Sequence, residues 1–127
     1  MININNGTVT ISEELVVFPG YSFEQFQKTK FYKNQDGIRM IYLDEELMIE
    51  NRKYIVSLFF RNGKLYMLSL ICCDKRFSES DERKRETLHD DILKEWGMKK
   101  HEEYRWGKVS SDYDGRSNIS SINIVYL

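Results

Sequence analysis

The stretch KYIVSLFFRNGKLYMLSLIC, running from Lys53 to Cys72, reads as two strands joined by Asn62-Gly63, and the rest of the chain has to be fitted around it. Asn-Gly suits a two-residue type I′ turn, because both residues tolerate the positive φ that the right-handed twist of the flanking strands demands. A tip at Asn62 and Gly63 pairs Arg61 with Lys64, Phe60 with Leu65, Phe59 with Tyr66, Leu58 with Met67, Val56 with Ser69 and Tyr54 with Ile71. Directly opposed residues share a face. One face then carries Tyr54, Val56, Leu58, Phe60, Leu65, Met67 and Ile71, and the other Ile55, Phe59, Tyr66, Leu68 and Leu70, with Ser57 among them. Both faces are apolar. A hairpin with one solvated face alternates apolar and polar residues, so this pattern predicts a central hairpin covered on both sides.

The covers have to come from the flanking segments. Ile2 and Ile4, then Val9 and Ile11, flank Asn5-Asn6-Gly7 and predict a small N-terminal hairpin at an edge. Pro19-Gly20 stops the apolar run from Leu15 to Phe18, and Ser22 with Gln25 three positions on has capping-box spacing for a helix over about 22–30. So short a helix is not stable alone, and Phe23, Phe26 and Phe31 must dock it. Beyond the turn at Asn34 to Gly37, residues 38–43 alternate as a strand, and Leu47 to Glu50 continue it after a turn at Asp44-Glu45-Glu46. From Ser78 the composition changes. SESDERKRETLHDDILKEWGM is acidic at its start, offers the charge pairs Glu79/Arg83 and Asp81/Arg85, and ends at Gly97. It predicts the main helix over about 79–96, with Leu88, Ile92, Leu93 and Trp96 as its apolar stripe and Met98 packing back across the end. The first two turns lack that stripe and are expected to project into solvent.

The tail alternates again at Tyr104, Trp106 and Lys108, then at Ile122, Ile124 and Tyr126, around a turn near Asp114-Gly115. A two-residue turn there places Trp106 opposite Asn123 and the isoleucines on the other face. A loop with an odd residue count pairs Tyr104 with Tyr126, Trp106 with Ile124 and Lys108 with Ile122. The odd loop is expected, because a one-residue slip moves every side chain across the sheet and only this register gathers the apolar ones. The fold class is therefore α+β: an antiparallel sheet of at least four strands (53–60, 64–72, 103–112, 118–126), the main helix on one face, and the short N-terminal helix.

At 127 residues the chain is of single-domain size. Its 19 basic and 20 acidic residues nearly cancel, so the charge balance calls for neither nucleic acid nor an anionic membrane. MININNGTVTISEE has no basic region leading into an apolar one, and no window approaches a spanning length. A cytosolic location is expected. Cys72 and Cys73 are adjacent, have no other cysteine to pair with, and are expected to be ordinary reduced strand residues rather than metal ligands.

No cluster of catalytic type emerges. His89 stands beside Asp90 and Asp91, and His101 before Glu102-Glu103; neither has a ligand partner at suitable spacing, and both are expected to be solvated. No carboxylate pair sits in apolar surroundings, as a raised pKa for general acid work requires. No GxSxG, P-loop or GxGxxG occurs. Arg83-Lys84-Arg85 alternates with acids and reads as a solvated helix face. No cofactor or metal is expected. Tyr104, Trp106 and Tyr126 form either an aromatic binding platform or core against the main helix, and Asp112, Asp114 and Arg116 at the loop tip would decorate such a platform. Phe59 and Tyr66 mark the second face of the hairpin. Cover by the N-terminal third, through Phe18, Phe23, Phe26 and Phe31, is the expectation for that face. If that third joins the main helix's side instead, the face is left open as a partner or dimer interface.

The run Tyr104-x-Trp106-Gly107, then Asp112-Tyr113-Asp114-Gly115 and Ile122-x-Ile124-x-Tyr126, after a central hairpin and one charged helix, resembles small bacterial single-domain proteins of uncharacterised families. These include immunity proteins of polymorphic and contact-dependent toxin systems. The resemblance covers the pattern of about residues 53–126. It implies a non-catalytic module that binds a partner protein, such as a toxin, and it assigns no functional residue. The other readings are a small enzyme or ligand-binding cup with a pocket lined by Tyr54, Phe60, Tyr104 and Trp106, and a homodimeric accessory subunit.

Overall fold

A computed structural model describes residues 1–37, 40–43 and 45–127. In chain order it contains β1 (Val9–Thr10), β2 (Val16–Val17), α1 (Phe23–Gln27), β3 (Met40–Tyr42), β4 (Leu47–Ile49), β5 (Arg52–Arg61), β6 (Lys64–Cys72), a 3-10 turn (Glu79–Asp81), α2 (Arg83–Glu95), β7 (His101–Tyr104), β8 (Gly107–Asp114) and β9 (Ile119–Tyr126). The fold is α+β. Strands β3 to β9 form one antiparallel sheet in the order β3-β5-β6-β9-β8-β7, with β4 also pairing β5, and β1 pairs β2 separately. Ile38 and Arg39 of the expected strand, and Asp44 of the expected turn, lie outside the described residues.

The central hairpin turns at Asn62 and Gly63, whose φ values of 53° and 75° are the left-handed pair a type I′ turn requires. Arg61 faces Lys64 and Phe60 faces Leu65 as the turn dictates, but Phe59 then faces Met67, not Tyr66. Tyr66 is an extra residue, a β-bulge, and beyond it every pair is shifted: Leu58 with Leu68, Val56 with Leu70, Tyr54 with Cys72. This corrects the sequence-derived register and with it the composition of both faces. Tyr54, Val56, Leu58, Phe60, Leu65, Leu68, Leu70 and Cys72 now share one face, each at most 5 % exposed. The other face carries Ile55, Ser57, Phe59, Tyr66, Met67, Ser69 and Ile71, and only Ser57 of these is buried. The hairpin is covered on one side.

The tail also departs from expectation. The expected strand over 103–112 is two strands, because the chain reverses at Arg105-Trp106 and pairs Tyr104 with Gly107. Neither loop length considered for the β8–β9 turn is adopted: Asp114 faces Ile119, leaving Gly115 to Asn118 as an even loop. The loop's own bonds set its length. Asp114 Oδ1 accepts from the Arg116 amide at 2.9 Å, Tyr113 Oη donates to Asn118 Oδ1 at 2.7 Å, and Asn118 takes a φ of 54°. Ile122 and Ile124 consequently face Ser111 and Val109 across the ladder, and Leu70 and Leu68 on the other side.

Both covers lie on the same side of the sheet. Ser22 caps α1 in a full capping box with Gln25, and the helix ends at Gln27, short of the expected residue 30. Phe26 and Phe23 pack on Phe60 with ring centroids 5.8 Å and 5.3 Å apart, on the hairpin's buried face. Tyr21 accepts the Leu65 amide and Phe23 donates to Gly63, which stitches this segment to β6 ahead of its pairing with β9. The N-terminal third therefore does not cover the face that carries Phe59 and Tyr66, contrary to expectation. The expected N-terminal hairpin is reduced to one bridge between Ile2 and Val9, with β1 pairing β2 instead.

Helix α2 ends as its sequence specifies. Gly97 takes a φ of 77°, its amide donates to Lys94, and the Met98 amide donates to Leu93, a Schellman arrangement with Met98 buried. Its beginning does not project into solvent. The β6–β9 ladder stops at Leu70 and Ile122, and α2 meets the next backbone groups with side chains. Glu82, which stands at the N-cap of α2, accepts the Ser120 amide on its side chain at 3.3 Å and the Ser120 hydroxyl on its backbone carbonyl at 3.1 Å, Arg85 donates to the Cys72 carbonyl, and His89 Nε2 accepts the Cys72 amide at 3.0 Å. Arg85 is bound to Glu82 at 2.9 Å, and Lys84 pairs with Asp81, both at i,i+3 and not in the expected i,i+4 pairs. Buried backbone groups need such partners.

His89 is thus fully buried, not solvated as expected. Because Nε2 accepts, the ring is neutral with its proton on Nδ1, which meets no acceptor among the described residues. Burial first, and the neighbouring Arg85 second, lower its pKa to about 4 from 6.5. Above pH 6.5 the ring is neutral folded and unfolded. As pH falls from 6.5 to 4 only the unfolded chain gains the proton, so stability is lost in that window, by about 3 kcal/mol at the limit. Urea unfolding of wild type and His89→Gln at pH 7 and pH 4.5 should show a smaller acid loss in the variant; equal losses would mean that His89 does not titrate in this way.

Candidate functional site

Alternation along each strand builds the site. Side chains at every second position point away from the covered side. The open face gathers Met40 and Tyr42 of β3, Met48 of β4, Ile55 and Phe59 of β5, Met67 and Ile71 of β6, Asn123 and Val125 of β9, and Lys108, Asp112, His101 and Glu103 of β8 and β7. Six large apolar side chains are exposed among the described residues, and four of them, Tyr42, Met48, Ile55 and Ile119, stand here.

Two depressions run across this face. The larger, of about 630 Å³, lies over β6, β9, β8 and β7 among Met67, His101, Glu103, Lys108, Asp112 and Val125. The second, of about 320 Å³, lies toward β3 among Met40, Tyr42, Phe59, Ile71, Asp114 and Ile119. Met67, Asp112 and Asn123 line both, so they form one groove, apolar at the β3 end and charged at the β7 end.

Asp112 marks the junction. Its Oδ2 accepts from Ser110 Oγ at 2.6 Å and from Asn123 Nδ2 at 2.8 Å, one bond from its own strand and one from β9, which fix the carboxylate in place. At the hairpin tip, Phe59 and Tyr66 lie with ring centroids 6.1 Å apart, and the Arg61 guanidinium covers Tyr66 at 4.3 Å. Both remain half-exposed.

Tyr104 and Trp106 do not join this groove. Trp106, 9 % exposed, donates from Nε1 to the Ile4 carbonyl at 2.9 Å and stacks on Tyr104 at 5.0 Å with an interplanar angle of 3°. Gly7 lies against the indole so closely that a Cβ there would stand 2.5 Å from the ring, and Tyr126 Oη donates to the Gly7 carbonyl at 2.8 Å. The aromatic group clamps the N-terminal segment onto the covered side. The pocket expected among Tyr54, Phe60, Tyr104 and Trp106 is therefore filled core: Tyr54 and Phe60 are 1 % and 5 % exposed. Of the loop-tip residues, Asp112 and Asp114 line the groove, whereas Arg116 is exposed in the loop beyond it.

The sequence reading missed Met67, Lys108 and Asn123 as groove residues, and it named His101 only as a solvated side chain. The usable signal was the alternation of Ser121 and Asn123 with Ile122 and Ile124, which marks a polar face on β9. Burial raises the pKa of both thiols, that of Cys73, which also lies beside Glu46, to about 12, which disfavours the nucleophilic thiolate. Among the described residues no three His, Cys, Asp or Glu side chains are grouped to hold a metal ion, and no helix is long and apolar enough to cross a membrane. No protein-family model, curated protein or solved structure matches the chain.

The two sides should respond differently to substitution. Phe59→Ser and Tyr66→Ser should each cost about 1 kcal/mol or less in urea unfolding, whereas Leu58→Ala and Trp106→Ala should cost about 2–5 kcal/mol. Comparable losses at Phe59 and Leu58 would show that the second face is covered after all.

Proposed function

We propose that the chain is a non-catalytic protein-binding module that engages a partner through the open face of its sheet. The supporting observation is the concentration of uncovered apolar side chains there, Tyr42, Met48, Ile55 and Ile119 with half-exposed Phe59 and Met67 beside them, on a face that neither helix reaches. Large contiguous apolar patches on soluble domains mark interaction sites, and aromatic residues and methionine are enriched in protein interfaces. The resemblance to immunity proteins gives this reading its specific form: the partner is a toxin whose active site the groove and its rim occupy, and the host is a bacterial cytoplasm.

A ligand-binding cup is the second reading. It is supported by the larger depression, whose roughly 630 Å³ falls within the range of small-molecule sites and which brings His101, Glu103, Lys108 and Asp112 together. The wide apolar approach at the β3 end favours a macromolecular partner over an enclosed ligand.

Sedimentation velocity and titration calorimetry with the product of the gene beside this one test the proposal. The chain alone should be monomeric and should form a complex with that product. The combined variant Tyr42→Ser, Phe59→Ser, Met67→Ser should fold and lose about 100-fold in affinity, the loss of about 2.7 kcal/mol that a few interface anchors carry. A complex indifferent to the triple variant would overturn the proposal. A dimer of the chain alone that the variant dissociates would replace it with the accessory-subunit reading.

A further inference from the structure

We infer that the partner presents a basic side chain, arginine or lysine, to the charged end of the groove, with apolar residues flanking it; this rests on the protein-binding reading above. The chain as a whole is close to neutral, at a formal charge of −1. The groove is not: among the described residues Glu103, Asp112 and Asp114 line it from the open face against one cation, Lys108. The acidity is therefore local to the groove, since Lys53 and Arg61 stand elsewhere on the same face, and it draws a positive side chain there.

The geometry suits a long cationic side chain in particular. Both hydrogen bonds to Asp112 fall on Oδ2, and among the described residues no donor meets Oδ1, which is left for an incoming group. Glu103 and Lys108 face each other across the β7–β8 ladder, yet among the described residues neither is in an ion pair. Met67 and Val125 floor the approach to Asp112 and offer apolar surface to a methylene stem whose charged head reaches the carboxylates. A guanidinium or ammonium meeting a carboxylate already fixed by Ser110 and Asn123 forms a charge-assisted bond with little further ordering. Tyr42, Phe59 and Ile71 continue the groove as apolar surface for the partner's neighbouring residues. A second copy of this chain fits less well, because a two-fold pairing centred on the groove would set its carboxylates against themselves.

The probe is a fluorescein-labelled peptide alternating arginine with valine, set against the same peptide with glutamate at each arginine position and read by fluorescence anisotropy with the full chain. The arginine peptide should bind saturably, weaken as sodium chloride is raised, and lose about tenfold or more with Asp112→Asn combined with Glu103→Gln, one decade for about 1.4 kcal/mol. Circular dichroism and thermal melting should show the variant folded. No saturable binding of the arginine peptide, equal binding of the two peptides, or binding unchanged in the folded variant would each overturn the inference, as would dimerisation of the chain that the same variant abolishes. Against the natural partner, a complex lost with Tyr42→Ser and Phe59→Ser but untouched by Asp112→Asn and Glu103→Gln would sink the basic side chain alone. Indifference to both sets would sink the protein-binding reading as well.

Discussion

Tyr66 is the residue on which the two sides of this molecule depend. By standing opposite no residue of β5, it shifts the remaining β5–β6 pairs by one position. Leu68, Leu70 and Cys72 are thereby moved to the side of Tyr54, Val56 and Leu58, and Met67, Ser69 and Ile71 to the side of Phe59. Leu65 and Leu68, three apart, are both buried, while Tyr66 and Met67 between them are half-exposed, as expected when a bulge places two consecutive side chains on one face. Without that extra residue each face would carry a mixture of the two sets, and neither a dry core nor an open groove would result.

The covered side then collects everything the chain has for cover. α1 and its aromatic residues pack at the Phe60 end, the Trp106 clamp holds the Gly7 segment at the β9 end, and α2 fills the interval with Ile92, Leu93 and its polar contacts to Cys72 and Ser120. The polar contacts are as necessary as the apolar ones. Where β6 and β9 cease to pair, Glu82, Arg85 and His89 satisfy backbone groups that would otherwise be buried without partners. With both helices committed to one side, the opposite face of a seven-stranded sheet is left to solvent or to a partner.

Much of the fold was legible in the sequence, for reasons tied to local chemistry. Asn62-Gly63, Ser22 with Gln25, and Gly97 with Met98 each determine a turn or a cap through their own backbone preferences, and all three form as read. What was not legible depended on counting across strands. A bulge leaves no compositional mark in LYMLSL, and the even β8–β9 loop is set by Asp114 and Asn118 bonding within the loop, not by which apolar residues a register would gather. The fully buried His89 was hidden by its neighbours Asp90 and Asp91, since a helix turns them to other faces. The candidate site carries the same limit: Asp112, Phe59 and Tyr66 lie on the open face, and the choice left open for Tyr104 and Trp106, platform or core, was not legible because the partners of Trp106, Ile4 and Gly7, lie about a hundred residues away in sequence.

Thiol labelling of single-cysteine variants along β6 measures the sorting of faces most directly, with the extent at each introduced position read by mass spectrometry so that Cys72 and Cys73 do not interfere. In the folded chain Met67→Cys and Ile71→Cys should label readily, while Leu68→Cys and Leu70→Cys should label only after unfolding by urea. The reverse pattern, or equal protection at all four positions, would contradict the bulge at Tyr66 and the open face that depends on it.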